Sequence, residues 1–186
     1  SFEQQVYSVL RDKISASQGN LSVRAPNLFR FEVTAPYQEL YMSDGLDFWK
    51  YVPHLKHAQH LKAVASEFAF IKLLADLSYV KKSYQISEWK GSHSTLSKVP
   101  PVQSDLPLQS FASSELAIRL DPREDKRQKV LYAILDVKTG FIQELRFVQW
   151  NGNRTRFVFK DYVRKQLPEK MFQFTPPAGI VVNDAS

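Results

Sequence analysis

Residues Gly19–Pro53, GNLSVRAPNLFRFEVTAPYQELYMSDGLDFWKYVP, constrain the fold more than any other stretch. Large apolar residues alternate with polar ones at a period of two, and Pro or Gly interrupts the pattern where strands should turn. A period of two places alternate side chains on opposite faces of a strand. Consecutive antiparallel strands with one apolar and one wet face are therefore expected. Phe29, Phe31 and Val33 fall on one side of the first strand, with Arg30, Glu32 and Thr34 on the other. Leu40 and Met42 read as inward on the next strand, and Trp49 and Tyr51, opposite Phe48 and Lys50, as inward on the third. The apolar face is then strongly aromatic, and it forms either a thick core or the wall of a hydrophobic cavity.

The same period runs through most of the chain. Phe2–Lys13, Ile14–Arg24, Leu28–Thr34, Glu39–Met42, Asp47–Val52 and Ala58–Lys62 read as strands. Tyr84–Trp89, Leu116–Leu120, Lys129–Val137, Ile142–Trp150, Arg154–Asp161 and Met171–Thr175 follow. Tight turns are expected at Ser43-Asp44-Gly45, Lys138-Thr139-Gly140 and Asn151-Gly152-Asn153. The period changes to helical spacing only at Ala65–Ala75, where Phe70, Leu73 and Leu74 align, Phe68 and Ile71 widen the stripe, and Ser66 is a suitable N-cap. Gly91–Ser114 is rich in Ser and Pro and aperiodic, which marks a flexible insertion within a single domain spanning residues 1–186. The expected architecture is mainly β: an unclosed antiparallel sheet of about eleven strands with one helix. One such helix is too small to cover so large a sheet. A sheet that curls and is capped by a short helix encloses an apolar hollow, which favours the cavity wall over the filled core.

The chain contains no cysteine, which excludes disulfides, thiolate metal sites and cysteine nucleophiles. No apolar run approaches the roughly 18 residues of a membrane-spanning helix. The opening Ser-Phe-Glu-Gln-Gln is already strand-like and reads as a processed or trimmed chain. His54, His57 and His60 suggest a metal cluster, but residues three apart on a strand point to opposite faces, and no carboxylate lies close by in sequence. They read as solvated histidines, and no metal or cofactor is expected. There is no Gly-x-Ser-x-Gly elbow, phosphate-binding glycine loop or His-Glu-x-x-His, so no enzyme is read from the sequence. The net charge of +6 is concentrated around Lys50, Lys56 and Lys62 and again at Arg154–Lys165. Such a surface favours anionic partners. Nucleic acid is not expected, because the aromatics lie on the face opposite most charges.

Asn20–Pro53 resembles the outer-membrane lipoprotein carrier (LolA) family of Gram-negative bacteria. The matching pieces are Pro26-Asn27-Leu28-Phe29 followed by Phe31, the Thr34-Ala35-Pro36 turn, Ser43-Asp44-Gly45, and Trp49-x-Tyr51-x-Pro53. Asn153–Phe159 and the run Phe172-Gln173-Phe174-Thr175-Pro176-Pro177-Ala178-Gly179-Ile180-Val181-Val182 are similar to the family in order and spacing. The resemblance covers nearly the whole chain except Gly91–Ser114. It implies a monomeric, non-catalytic periplasmic chaperone whose unclosed barrel and helical lid surround an apolar cavity. Such a carrier takes acylated lipoproteins from an inner-membrane ABC exporter and passes them to an outer-membrane receptor. On that basis Phe29, Phe31, Val33, Leu40, Met42, Trp49, Tyr51, Phe157 and Phe159 are expected to line the cavity. Ser66–Ala75, with Phe70, Leu73 and Leu74, is expected to form the lid, and Lys50, Lys56 and Lys62 a basic face for partner docking. The chain departs from the family at Ala25, where the family carries the arginine that closes its lid; Arg24 is one residue away and should point to the other face. Family members open with an amphipathic helix, whereas Ser1-Phe2-Glu3 already match the first strand; a trimmed chain or a lid built differently is the expectation. A lipid- or lipoprotein-sensing regulatory domain of similar half-barrel fold is the alternative function.

Overall fold

The computed structural model describes residues 1–61, 69–75, 77–89, 114–123, 130–148 and 152–185. The segment Lys62–Phe68, with Lys62 and the Ser66 cap, and nearly all of the Gly91–Ser114 stretch lie outside the described residues.

Among the described residues twelve strands form the sheet: β1 (Phe2–Ser8), β2 (Lys13–Arg24), β3 (Leu28–Ala35), β4 (Glu39–Asp44), β5 (Phe48–Val52), β6 (His57–Leu61), β7 (Tyr84–Glu88), β8 (Glu115–Pro122), β9 (Val130–Asp136), β10 (Ile142–Val148), β11 (Arg154–Phe159) and β12 (Val181–Ala185). Between β6 and β7 the described residues include the short helices α1 (Ala69–Ala75) and α2 (Leu77–Ser83). The hydrogen-bonded order is β12-β6-β5-β4-β3-β2-β1-β11-β10-β9-β8-β7, and the sheet is not closed into a barrel. Pairing is antiparallel from β2 to β6 and from β7 to β11, whereas β12 lies parallel to β6. No described helix is long and apolar enough to cross a membrane.

The expectation of a mainly β chain with an unclosed sheet holds, with local corrections. β1 stops at Ser8, and Val9–Asp12 turn the chain; Asp12 adopts a positive φ of 44° and accepts a hydrogen bond from the Tyr7 hydroxyl at 3.0 Å. Met171–Thr175 is not a strand: Glu169–Phe172 form one 3-10 turn, and the last strand is β12. Two successive prolines after Thr175 remove ladder donors there, so strand pairing resumes only beyond Gly179. A second helix, α2, adds to the one expected, and its Val80 is buried.

The chain divides into two compact units. The first comprises Ser1–Phe2, Ser17–Lys82 and Asp161–Ser186. Its hairpin between β4 and β5 shows how locally the turns are specified. The Asp44 carboxylate accepts from the Leu46 and Asp47 amides at 3.0 and 2.9 Å, and Gly45 supplies a φ of 96° that other residues resist.

The second unit comprises Glu3–Ala16 and Ser83–Lys160. Registers Leu145↔Phe157, Leu145↔Ala133 and Phe147↔Leu131 put these residues on one buried face of β9–β11. The other face holds Trp89 against Ala117 and Tyr132, together with a charged cluster. There Glu144 is buried and receives hydrogen bonds from Arg146 and, at 2.7 Å, from Arg156. Burial alone would raise its pKa, but the Arg156 hydrogen bond and the charge and hydrogen bond of Arg146 outweigh it and hold the carboxyl below its ordinary value.

Candidate functional site

The aromatic residues of the first unit do not share one face. Residues directly opposite one another in a ladder lie on the same side of a sheet. β3 and β4 pair with Phe29 opposite Ser43, Phe31 opposite Tyr41, and Val33 opposite Glu39. β4 and β5 pair with Ser43 opposite Phe48 and Tyr41 opposite Lys50. One face therefore carries Phe29, Phe31, Val33, Tyr41, Phe48, Lys50 and Val52. The other carries Leu40, Met42, Trp49 and Tyr51, since Leu40 lies opposite Tyr51 and Met42 opposite Trp49. The nine residues expected to line one cavity are thus divided. Alternation within each strand is as expected, and β4 and β5 keep Leu40 and Met42 with Trp49 and Tyr51; the β3–β4 register, which sets Tyr41 and not Leu40 or Met42 beside Phe31, places that set on the other face.

The face of Phe29 and Phe31 is the one that meets α1. The Phe31 ring lies 6.4 Å from that of Phe70, edge to face, and 6.0 Å from Tyr41. On its other side Phe2 stacks on Phe31 at 4.3 Å. Phe29 packs against Phe48 at 6.0 Å, and Tyr41 against Phe48 at 6.5 Å. Gly19 on β2, opposite Val33, leaves the space that Phe2 occupies. Of the lid residues, Phe70 and Leu73 are buried and Leu74 is partly exposed; Ile71, which the spacing assigned a lesser place, is buried as deeply as Leu73. Phe2, Tyr41 and Phe48 belong to this aromatic face and were not among the expected lining residues. Tyr41 and Phe48 could have been assigned to it from the parity of the hairpin turn, and nothing local marks Phe2.

The opposite face is met by the segment Leu167–Phe174. Phe174 lies 5.3 Å from Trp49 and 5.4 Å from Tyr51, and Phe172 and Met42 are fully buried. Arg24 extends on this side, away from Phe29 and Phe31, as strand alternation requires; it donates to the Leu167 carbonyl at 3.4 Å and lies 3.9 Å from Glu169. Phe157 and Phe159 belong to the second unit, where their rings stack at 5.8 Å and Phe147 meets Phe157 edge-on at 6.0 Å.

Two of the three lysines expected to form a basic docking face are described. Lys50 stands over the Tyr41 ring on the aromatic face, while Lys56 is exposed in the left-handed residue after the Pro53–Leu55 turn. Lys62 lies outside the described residues.

The histidines are corrected in one respect. No group of His, Asp and Glu side chains suited to a metal is found among the described residues. His60, however, is not a free solvated side chain. Folding brings it two carboxylates distant in sequence: Nε2 lies 2.9 Å from Asp47 and Nδ1 2.9 Å from Asp184, with the ring stacked on Trp49 at 4.3 Å. Neutral imidazole has a single N–H, so donation to both carboxylates needs the imidazolium. The hydrogen bonds to Asp47 and then Asp184 raise the His60 pKa, against a smaller opposing effect of burial. A raised folded pKa gives stability that is complete below the unfolded value of about 6.5 and is lost as pH rises through the folded value. Asp184 is on β12, so the ion pairs help hold this edge strand on β6. Amide exchange in β12, corrected for its intrinsic pH dependence, should be slowest in mild acid and speed up as pH rises through the raised folded value. In His60→Gln that pH dependence should vanish. An identical profile in both proteins would exclude the role of His60.

The family model for the outer membrane lipoprotein carrier protein LolA matches residues 1–112. The chain belongs to this family. A LolA-family relative, the outer-membrane lipoprotein carrier protein of Photobacterium profundum, is 25% identical over 187 residues, covering 99% of this chain and 80% of its own. That of Serratia proteamaculans is 26% identical over 186 residues, covering 99% and 79%. Among solved structures, MucB crystallised in complex with MucA(peri) is similar at 15% identity and a TM-score of 0.37, covering 94% of this chain and 54% of that one. The LolA-family resemblance seen in Asn20–Pro53 falls within the matched residues.

Proposed function

We propose that the protein is a non-catalytic lipoprotein carrier of the periplasm that shelters acyl chains against the aromatic face of β3–β5, with α1 as the lid. In this reading it takes lipoproteins from an inner-membrane ABC exporter and hands them to an outer-membrane receptor. The observation that carries the reading is the packing of Phe70 of α1 on Phe31, within an aromatic face of a LolA-family chain. Phe70, Ile71 and Leu73 fill the place an acyl chain would take, so opening α1 exchanges one set of apolar contacts for another.

Magnitudes favour such an exchange. Burying an acyl chain gains roughly 0.8 kcal/mol per CH₂, about 12 kcal/mol for a chain of ordinary length. Three chains would gain about 36 kcal/mol, above the practical ceiling near 18–21 kcal/mol for non-covalent binding. A carrier that must also release its cargo needs an offset, and displacing buried lid side chains supplies one.

A fluorescent triacylated lipopeptide and its unacylated twin test the reading. The delipidated protein should bind the acylated peptide at least about a hundredfold more tightly, since a few buried methylenes already account for that ratio. Equal affinity for the two peptides would overturn it.

A further inference from the structure

Three large apolar side chains stand exposed at one end of the first unit. Tyr37 lies in the bend between β3 and β4 and is 67% exposed. Leu55 ends the Pro53–Leu55 turn after β5 and is 65% exposed, and Val181 opens β12 and is 62% exposed. The three are joined in space. The Tyr37 ring lies 5.6 Å from that of His54, the residue before Leu55, and the Val181 amide donates to the Lys56 carbonyl at 2.9 Å. Singly exposed apolar residues are ordinary on a protein surface, but three gathered from separate elements mark a contact site.

The charge at this end is of one sign. His54 and Lys56 are exposed, and residues 35–38, 53–58 and 179–183 contain no Asp or Glu. The carboxylates next along the chain are engaged elsewhere: Glu39 accepts from the Tyr41 hydroxyl, and Asp184 holds His60 at the far end of β6. An anionic surface therefore complements the patch.

The chemistry favours a bilayer over a protein. A standard protein interface buries about 800 Å² on each side, which calls for a broad face. Three side chains on two turns and a strand start are too few for that. A bilayer requires only that a few apolar side chains reach the boundary between headgroups and acyl chains, with cations beside them. Tyrosine suits that boundary, because its ring is apolar and its hydroxyl stays wet.

We propose that Tyr37, Leu55 and Val181, with Lys56, form a docking surface for an anionic lipid bilayer. The apolar side chains enter the headgroup boundary, and the Lys56 ammonium meets the lipid phosphates. The inference goes beyond the carrier reading: it concerns where the protein touches a membrane, not how it shelters an acyl chain.

Flotation of the full chain with vesicles tests it, using phosphatidylethanolamine–phosphatidylglycerol vesicles beside neutral phosphatidylcholine ones. The parent should partition onto the anionic vesicles about fivefold more strongly, the scale of one lysine near a charged surface. Tyr37→Ser combined with Leu55→Ser should weaken partitioning onto the anionic vesicles about tenfold or more, since burying a single large apolar side chain is worth that much. Lys56→Gln should remove the preference for anionic lipid and leave binding to neutral vesicles unchanged. Leu10→Ser removes an exposed leucine of the second unit and should match the parent. Each variant should bind the acylated peptide in solution as the parent does, so the docking surface and the carrier reading fail separately. Failure of the parent to bind anionic vesicles would overturn the proposal and leave the patch to a protein partner. Equal losses in Leu10→Ser and the double variant would also overturn it, since any exposed apolar side chain would then serve.

Discussion

Gly19→Ala should be among the most damaging single substitutions in this protein. A β-carbon on Gly19 would lie 1.8 Å from the carbonyl oxygen of Glu32 and 3.0 Å from Cε1 of Phe2. The first clash is with backbone, so no rotamer change relieves it. The register slips between Gln18 and Gly19 where β2 meets β3, and the irregularity brings the two backbones together at a point only glycine fits. Either β3 must move, carrying Phe31 and Val33, or the pairing must open. The expected loss is about 3 kcal/mol or more, at the upper end of overpacking effects. Urea denaturation should show a large fall in midpoint. Gly140→Ala provides the contrast: it has the same chemistry and a positive φ of 71° but no atom within 4 Å, and it should cost only about 1 kcal/mol. Comparable midpoint shifts for the two variants would refute the close-approach explanation.

Phe31→Ala is the second. Phe31 is 2% exposed and touches three other rings, those of Phe2, Tyr41 and Phe70. Its removal deletes the centre of the cluster and leaves a hole bounded by stiff aromatic neighbours that cannot collapse into it. The expected destabilisation is about 3–5 kcal/mol. Phe174→Ala should cost distinctly less: it also meets two aromatic rings, but it is partly exposed on an irregular segment. If Phe31→Ala proved no more harmful than Phe174→Ala in the same denaturation series, the centre of packing would not be at Phe31.

The strands were legible because alternation and turn chemistry are local. Leu28–Thr34, Ser43-Asp44-Gly45 and Asp47–Val52 could each be read without knowing what lay beside them. The face assignment was not legible in the same way. β4 and β5 carry large apolar residues at both parities: Tyr41 and Phe48 on one side, Met42 and Trp49 on the other. Such strands are covered on both faces, and hydrophobicity alone cannot say which set joins Phe29 and Phe31. Only the register of the β3–β4 hairpin decides, and a shift of one residue inverts the answer. The second cover, the segment carrying Phe172 and Phe174, is distant in sequence and irregular, so no periodicity announced it. The setting of His60 is hidden for a related reason: Asp184 reaches it only through the β6–β12 pairing, and Asp47 only through the β5–β6 pairing. The resemblance to the LolA family rested on the order of several modest motifs, which is why it survived these errors.

The parallel placement of β12 on β6 has a consequence for how the protein folds. β12 lies far from β6 in sequence, so until it docks, β6 presents an uncovered ladder of donors and acceptors on one side. An open strand edge is a template for pairing with another chain. Completion of this edge therefore waits on a distant strand, and the interval before that strand docks is when association between unfinished copies is most favoured.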